Sequence, residues 1–343
     1  MAGSITGNNK ADMVKVREDY AVTGDGQIDI ERWVRQIESQ THLESVDQFR
    51  RACEKAAEID LQAFREDRLW AEGASSFRTG IEIAQVLAEL HMDQASLVAA
   101  ILYRAVREER VPLETIRKEF GDEVAGLING VQQMAAISSI HHPLKGNVLG
   151  QSEGQLDNVR KMLVTMIDDV RVALIKLAER TCAIRAVKDG SEEKRMRVAR
   201  EVFDIYAPLA HRLGIGHIKW ELEDLSFRYL HGSAYKKIAK LLDEKRLDRE
   251  SYIRRVIDTL KTELKNFGIE GELSGRAKHI YSIWRKMRRK GIDFSQVYDV
   301  RAVRVLVPEV RDCYAALGIV HTLWRHIPNE FDDYIANPKE NGY

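Results

Sequence analysis

The chain has 343 residues, enough for two domains, and its 44% hydrophobic content is ordinary for a globular protein. Its 53 basic and 53 acidic side chains balance to zero, which excludes a protein that coats nucleic acid or a membrane surface through its overall field. The three cysteines are far apart and form no CxxC pair. This argues against a disulfide framework or a cysteine zinc site and favours a reduced, cytoplasmic protein.

The chain begins with a polar, glycine-containing stretch that we predict to be a flexible tail over residues 1–30. It contains no apolar run, so it does not have the pattern of a signal peptide. No later stretch approaches the ~18 consecutive apolar residues of a membrane-spanning helix. We therefore expect no membrane partner.

From residue 31 to about 267, apolar residues recur at the spacing of an amphipathic helix, as in IEIAQVLAEL, LVAAILYRAV and VRVALIKLAERTCAIRAV. A stretch at about 138–158 that contains Gly, Ser, Asn and Pro predicts one long exposed loop within this part. We predict an all-helical domain over residues 31–200 and a helical connector over residues 201–267.

After Gly268 the pattern changes. IEGELSG predicts a short strand, KHIYSIWRKMRRK a basic helix, VYDVRAVRVLV a strand and RDCYAALGIVHTLW a helix. This order of strand, helix, strand and helix predicts a small α/β domain over residues 268–343.

The basic helix of this domain has two different faces. Ile280, Ile283, Trp284 and Met287 recur at i, i+3, i+4 and i+7, which predicts an apolar face that packs on a sheet. A second face carries several cations and no acid, and such a face can hold a triphosphate through charge-assisted contacts. A solvated basic helix and an RNA-contacting surface are the alternatives. The residues of the second face are Lys278, Ser282, Arg285, Lys286 and Arg289.

Asp299 lies near the start of the second predicted strand, next to this helix in the expected fold. Mg²⁺ in nucleotide enzymes needs one or two carboxylates and takes its other ligands from water and phosphate. Asp299 is therefore a candidate Mg²⁺ ligand, and an Asp–Arg ion pair on an exposed strand is the alternative.

Four stretches of this domain, GRAKHIYSIWRKM, YDVRAVR, DCYAALGIVHTLW and DDYIANPKENGY, resemble the synthetase domain of the long RelA/SpoT homologues. IYAPLAHRLGIGHIKWELEDLSFRYL resembles the connecting helices of that family. The resemblance implies an HD-type hydrolase domain, a helical connector and a mixed-sheet, nucleotidyltransferase-like synthetase domain. It also implies transfer of the β,γ-pyrophosphoryl group of ATP to the 3′-hydroxyl of GDP or GTP, which makes (p)ppGpp in the stringent response.

The same resemblance implies a role for individual residues. Asp299 matches the Mg²⁺ ligand. Lys339 and Tyr343 match contacts to the guanosine nucleotide, with Tyr343 stacked on the guanine. The positions that match the ATP-handling residues are Arg276, Lys278, Ser282 and Lys286.

An acidic cluster, Glu330, Asp332 and Asp333, stands where bifunctional members of the family carry a basic pattern. The acidic version belongs to the synthesis-only branch, whose metal is Mg²⁺. Exposed loop acids without a ligand role are the alternative for Glu330 and Asp332.

The helical half departs from a working HD-type hydrolase, which needs His and Asp residues to hold a metal that activates water. Thr79 stands for the first His, Tyr103 and Arg104 stand for the His-Asp pair, and Glu179 stands for the distant Asp. We therefore expect an inactive pseudo-hydrolase. The resemblance disfavours a bifunctional synthetase-hydrolase for the same reason.

In the family, Asn-Gly-Tyr continues into a Gln-Ser-x-His-Thr loop, and a later strand carries a Glu that serves as the catalytic base. We expect this base beyond residue 343, an incomplete synthetase domain in this chain, and a C-terminal half that contacts the ribosome and uncharged tRNA. The alternative is a non-catalytic regulatory or interaction fragment.

Overall fold

The structure is a computed structural model in which the chain forms two compact units, Met1–Leu230 and His231–Tyr343. None of the helices in the described part of the chain is long and apolar enough to cross a membrane. The described residues are 22–24, 27–66, 75–140, 169–244, 246–277, 279–297, 300–327 and 331–339.

The helices of the first unit begin at side-chain caps. Asp29, Ser45, Ser75 and Asp93 each accept a hydrogen bond from the backbone N–H three residues later, which satisfies one of the unpaired donors of a first helical turn. The first six helices are α1 (Ile30–Gln40), α2 (Val46–Arg65), α3 (Ser76–Glu89), α4 (Gln94–Arg107), α5 (Leu113–Phe120) and α6 (Asp122–Ile140).

A π-helical turn, Val202–Tyr206, interrupts the later helices. Pro208 has no N–H and so cannot donate to the carbonyl of Asp204. The N–H of Ala207 donates to the carbonyl of Val202, five residues earlier, which is the hydrogen bond of a π-helix. A short 3₁₀ turn, Val187–Asp189, follows the helix that ends at Ala186. The four helices are α7 (Val170–Ala186), α8 (Glu192–Glu201), α9 (Ala207–Arg212) and α10 (Gly216–Leu230).

The core of the first unit is one cluster of buried apolar side chains that extends from Trp33 on α1 to Leu225 on α10. Nearly every residue of α3 and α4 is buried. Their backbones approach closely at Gly80, where an added Cβ would lie 2.6 Å from the carbonyl oxygen of Ile101. The two helices at the centre of the unit also carry three of the four predicted hydrolase positions.

The second unit contains an antiparallel pair of strands in which Glu272 is opposite Leu306 and Ala277 is opposite Arg301. One small core, with Leu264, packs this pair against helices. The elements are α11 (Gly232–Glu244), α12 (Arg246–Asn266), β1 (Glu272–Ala277), α13 (Ile280–Lys290), β2 (Arg301–Leu306) and α14 (Val310–Leu323).

The predicted helical character of the first part and the order of elements after Gly268 are confirmed. The prediction that the second strand begins at Val297 was wrong, because β2 begins at Arg301. Val297 is buried with Phe294 and Ile283 in a core cluster. It therefore serves packing rather than the strand ladder.

The apolar face of α13 is also confirmed, and among the described residues it packs on a helix. Ile283 packs with Ile238 of α11, and the described residues of this cluster include none from β1 or β2. The predicted loop at 138–158 lies outside the described residues after Ile140. Most of the predicted tail does too, although Val22 and Ile28 form an isolated bridge.

Candidate functional site

The four predicted hydrolase positions lie on α3, α4 and α7, which pack against one another. Thr79 is on α3, Tyr103 and Arg104 are on α4, and Glu179 is on α7. The hydroxyl of Thr79 donates to the carbonyl of Ser75 at 3.0 Å, so it is satisfied within its own helix.

The carboxylate of Glu179 is buried among three cations. Its Oε2 accepts from Nζ of Lys176 at 2.6 Å, and its Oε1 accepts from Nη2 of Arg180 at 2.7 Å and from Nη1 of Arg107 at 3.0 Å. Arg180 also lies 3.4 Å from Glu201. We name Glu179, Lys176, Arg180 and Arg107 the Glu179 cluster.

Burial and charge oppose each other in this cluster. Burial favours the neutral acid of Glu179, but the charges of Arg180 and Lys176 outweigh burial and hold the pKa of Glu179 well below its usual range. Burial lowers the pKa of Lys176 to about 8 although Glu179 opposes this shift. The positive charge of Lys176 is therefore tolerated only because Glu179 is ionised.

Tyr103 and Arg104 are the two remaining predicted hydrolase positions. Tyr103 is fully buried, and its pKa rises to about 12 through burial and the charge of Glu179. Arg104 places Nη2 2.9 Å from Oε1 of Glu108. Oε2 of Glu108 accepts from the hydroxyl of Ser76 at 2.6 Å and lies 2.8 Å from Nη2 of Arg110. The carboxylates of Glu179 and Glu108 are thus neutralised by side chains of the protein.

This arrangement does not fit a divalent metal. Metal ligation requires carboxylates and neutral imidazoles with available lone pairs. Of Thr79, Tyr103, Arg104 and Glu179, only Glu179 supplies a carboxylate, and both of its oxygens accept from cations. Within the described ranges, no group of three or more His, Cys, Asp or Glu side chains could hold a metal ion.

Sequence reasoning missed Lys176, Arg180 and Arg110 as members of this region. Lys176 and Glu179 are at i, i+3 on a helix whose neighbouring residues are apolar. Charged residues within such a pattern indicate a buried ion pair, so this signal could have identified Lys176 and Arg180. Arg110 lies outside any helix and carries no such signal.

The second unit contains the predicted ATP-handling positions. Arg276 lies in β1 opposite Ala302, and the end of β1 lies beside the start of β2 at Arg301. Ser282 and Lys286 are half-buried and one turn apart on α13. Lys278, Asp299 and the side chain of Arg276 lie outside what the structure describes.

Asp333 of the predicted acidic cluster has a structural role. Its Oδ1 accepts from the backbone N–H groups of Ile335 and Ala336 at 3.0 and 2.9 Å, and its Oδ2 accepts from the hydroxyl of Tyr314 at 3.3 Å. Asp332 is exposed, and Glu330 lies outside the described residues. Asp333 therefore orders the turn that follows it.

The predicted guanosine contacts are only partly described. Nζ of Lys339 lies 3.8 Å from the centre of the Tyr334 ring, and Tyr343 lies outside the described residues. A cleft of about 410 Å³ is lined by Tyr314 of α14 and by residues 331–335.

Comparisons with known proteins give the family. Residues 52–216 match a family described as "HD domain", and residues 275–343 match one described as "Region found in RelA / SpoT proteins". The chain is 45% identical over 331 residues to a GTP pyrophosphokinase of Escherichia coli (strain K12), which is 96% of this chain and 43% of that protein.

Two further relatives carry the same name. GTP pyrophosphokinases of Photobacterium angustum (strain S14 / CCUG 15956) and Haemophilus influenzae (strain ATCC 51907 / DSM 11121 / KW20 / Rd) are 49% and 48% identical over 264 and 267 residues. These matches cover 77% and 78% of this chain and 35% of each relative. The chain thus spans less than half the length of the relatives it matches.

Proposed function

The chain belongs to the RelA/SpoT family, and on that premise we propose that the protein transfers the β,γ-pyrophosphoryl group of ATP to the 3′-hydroxyl of GDP or GTP. The product is (p)ppGpp, the signal of the stringent response. One observation carries the proposal: 45% identity to a GTP pyrophosphokinase over 331 residues, which is 96% of this chain.

The proposed chemistry is mainly positioning and charge neutralisation. The ribose oxygen attacks the β-phosphorus, the bond from the β-phosphorus to the α,β-bridging oxygen breaks, and AMP leaves. Mg²⁺ would neutralise charge on the phosphates, and Asp299 is its proposed ligand. Cationic side chains would bind the remaining phosphate oxygens through charge-assisted hydrogen bonds. The proposed ATP-handling residues are Arg276, Lys278, Ser282 and Lys286.

Two features of the second unit support this assignment. Ser282 and Lys286 share one side of α13 at i, i+4. The register places the end of β1, which carries Arg276, beside the start of β2, two residues after Asp299. For the acceptor nucleotide we propose Lys339 and Tyr343, and Lys339 would leave the ring of Tyr334 to reach it.

The test is a transfer assay with ATP labelled in its γ-phosphate, Mg²⁺ and GDP. It is run on this chain and, where the reading frame continues past Tyr343, on the longer product. We expect labelled tetraphosphate, and we expect Lys286→Gln to lower kcat/KM at least ~10-fold, because a charge-assisted contact contributes about 1.5–3 kcal/mol. Lys237→Gln, an exposed lysine on α11, is the matched control. Absence of product from every version would overturn the proposal.

We also propose that the helical half does not hydrolyse (p)ppGpp. The Glu179 cluster supports this, because three cations occupy the carboxylate that a metal would need. Incubation with ppGpp and Mn²⁺ should release no pyrophosphate above the protein-free rate. Metal-dependent pyrophosphate release would contradict the proposal.

The partners and the domain division remain proposals from the family. We propose residues 31–200 as the pseudo-hydrolase domain, 201–267 as the connector and 268–343 as synthetase domain. We propose ATP and GDP or GTP as substrates, the cytoplasm as location, and ribosomes with uncharged tRNA as partners through a region that the family carries after its synthetase domain. Co-sedimentation of the longer product with ribosomes tests the last point.

A further inference from the structure

Helix α13 carries a concentration of positive charge that the proposed ATP site does not account for. Its 11 residues contain five cations and no acid. Arg285 and Arg289 are exposed, and within the described part of the chain neither forms an ion pair. Cations in a last helical turn offset the negative end of the helix dipole, but Arg285 lies in the middle of the helix.

Aromatic rings lie among these cations. The ring of Trp284 stacks on His231, with centroids 5.6 Å apart and an interplanar angle of 23°. Tyr281 lies on the same indole at 5.9 Å and 31°. The guanidinium carbon of Arg288 lies 5.8 Å from the centre of the Trp284 ring. The helix thus presents planar groups and positive charges side by side.

Helical geometry places these groups on one continuous face. With about 100° per residue, Trp284, Arg288, Tyr281, Arg285 and Arg289 follow one another within an arc of about 140°. We name these five residues the aromatic–arginine face.

The remaining residues of α13 lie on other sides of the helix. Ile280, Ile283 and Met287 occupy the side that packs on α11, and half-buried Trp284, at the edge of the aromatic–arginine face, packs against the same core cluster. By the same geometry, Ser282 and Lys286 lie past the Arg289 edge of the aromatic–arginine face. The face therefore adjoins the proposed ATP positions without including them.

We propose that the aromatic–arginine face binds a single-stranded nucleic acid. Unpaired bases stack on aromatic rings and guanidinium planes, while arginines bind the intervening phosphates bidentately. A duplex stacks its bases internally and would not use the rings, and an acidic protein would need only the charges. The zero net charge of the chain is compatible with such a site, because the charge is local to one helix.

The test is fluorescence anisotropy of a labelled, unstructured 12-nucleotide RNA titrated with the 343-residue chain at several NaCl concentrations. We expect binding that weakens with salt. The double variant Arg285→Gln with Arg289→Gln should weaken binding at least ~10-fold. It should also make the slope of log K against log[salt] less negative by about 1.4, or about 0.7 for each lost phosphate contact. Tyr281→Ala should weaken binding about 5-fold or more and leave the slope unchanged, because stacking carries no counterion release.

The matched control is Lys236→Gln with Lys237→Gln, which removes the same charge from exposed positions on α11. We expect this variant to bind within about 2-fold of the wild type, and melting curves verify that every variant folds. Equal losses in both double variants would show that net charge alone is responsible and would overturn the proposal.

Other results would also overturn it: no binding, equal affinity for a duplex, equal affinity for polyglutamate, or displacement of the strand by Mg-ATP. The last would make the face part of the substrate site. The same titration with a DNA strand of the same sequence shows whether the face distinguishes RNA from DNA. Binding of either strand supports the proposal, and tighter binding of RNA assigns a contact to the 2′-hydroxyl.

Discussion

At the residue scale, the first unit depends on a buried carboxylate that pairs with three cations. Glu179 and Lys176 are almost fully buried, and neither charge would be stable there alone. Removing one member of such a group leaves the others uncompensated. Glu179 is the member on which Lys176, Arg180 and Arg107 all depend.

Glu179→Gln should therefore destabilise the protein. We expect the free energy of unfolding at pH 7 to fall by ~3 kcal/mol, because the buried charge of Lys176 loses its counter-charge and Arg180 keeps only Glu201 among the described residues. Chemical denaturation monitored by circular dichroism measures this. Glu58→Gln, at an exposed position on α2, should change stability by less than ~0.5 kcal/mol. Equal effects of the two variants would contradict the role given to the Glu179 cluster.

Lys176 should give the first unit a distinctive pH dependence. Folding lowers its pKa from 10.5 to about 8, so between these values the unfolded chain binds the proton more tightly than the folded one. Stability must then rise with pH through this window as the folded lysine loses its charge. Relative to Lys176→Met, the wild type should gain ~2 kcal/mol between about pH 7.5 and 9.5.

Denaturation at a series of pH values tests this expectation. Lys188→Met removes an exposed lysine and should follow the wild type across the series. Parallel profiles for the wild type and Lys176→Met would show that Lys176 does not titrate in this window.

At the element scale, the close approach of α3 and α4 depends on one glycine. Gly80→Ala would place a Cβ 2.6 Å from the carbonyl oxygen and 2.9 Å from the Cα of Ile101. Both atoms belong to the backbone of α4, so neither can move as a side chain would. We expect the helices to separate and the free energy of unfolding to fall by ~2–3 kcal/mol.

Gly126→Ala in α6 is the matched control for Gly80→Ala. No atom lies within 4 Å of its added Cβ, so the higher helix propensity of alanine should stabilise the protein by ~0.5–1 kcal/mol. The same denaturation measurement applies to both variants. Destabilisation by both, or by neither, would argue against a steric role for Gly80.

Periodicity predicted most of the elements but not their tertiary partners. Ile280, Ile283 and Met287 marked the apolar face of α13, and the structure confirms it. The sequence did not indicate that this face packs on α11, because both a helix and a sheet present apolar side chains. β-branched residues favour strands, so the pattern predicts a strand at Val297, yet tertiary packing overrides that preference.

The candidate sites were predictable to different degrees. The loss of the hydrolase residues is predicted from the sequence, because Thr79, Tyr103 and Arg104 are not the His and Asp residues that the resemblance requires there. The ion pairs that stabilise the region were not, because Arg107 and Glu179 are 72 positions apart and meet only through tertiary structure. The roles of Arg276 and Lys286 rest on resemblance and remain predictions.

At the scale of the whole molecule, each unit has its own core. Every buried residue of the large cluster belongs to the first unit, from Trp33 to Leu225. The two small clusters, around Ile283 and Leu264, contain only residues of the second unit. This separation implies that the first unit can fold without the second.

The π-helical turn and α10 decide where that folding unit ends. Val202 and Tyr206 are fully buried, and so is Leu222 of α10. These residues lie within the predicted connector, yet they belong to the core cluster of the first unit. A chain that stops at residue 200 would lose them and expose the apolar surface that they cover.

Residues 1–230 should therefore unfold cooperatively on their own, whereas residues 1–200 should not. Loss of buried side chains of this size costs ~2–5 kcal/mol each, which is enough to remove most of the stability of a domain. Near-ultraviolet circular dichroism and calorimetry of the two fragments measure this directly. The longer fragment should give one sharp transition that Glu179→Gln shifts downwards, and the shorter one a broad transition with dye binding to exposed apolar surface. Cooperative unfolding of residues 1–200 would show that the connector helices are not part of the first core.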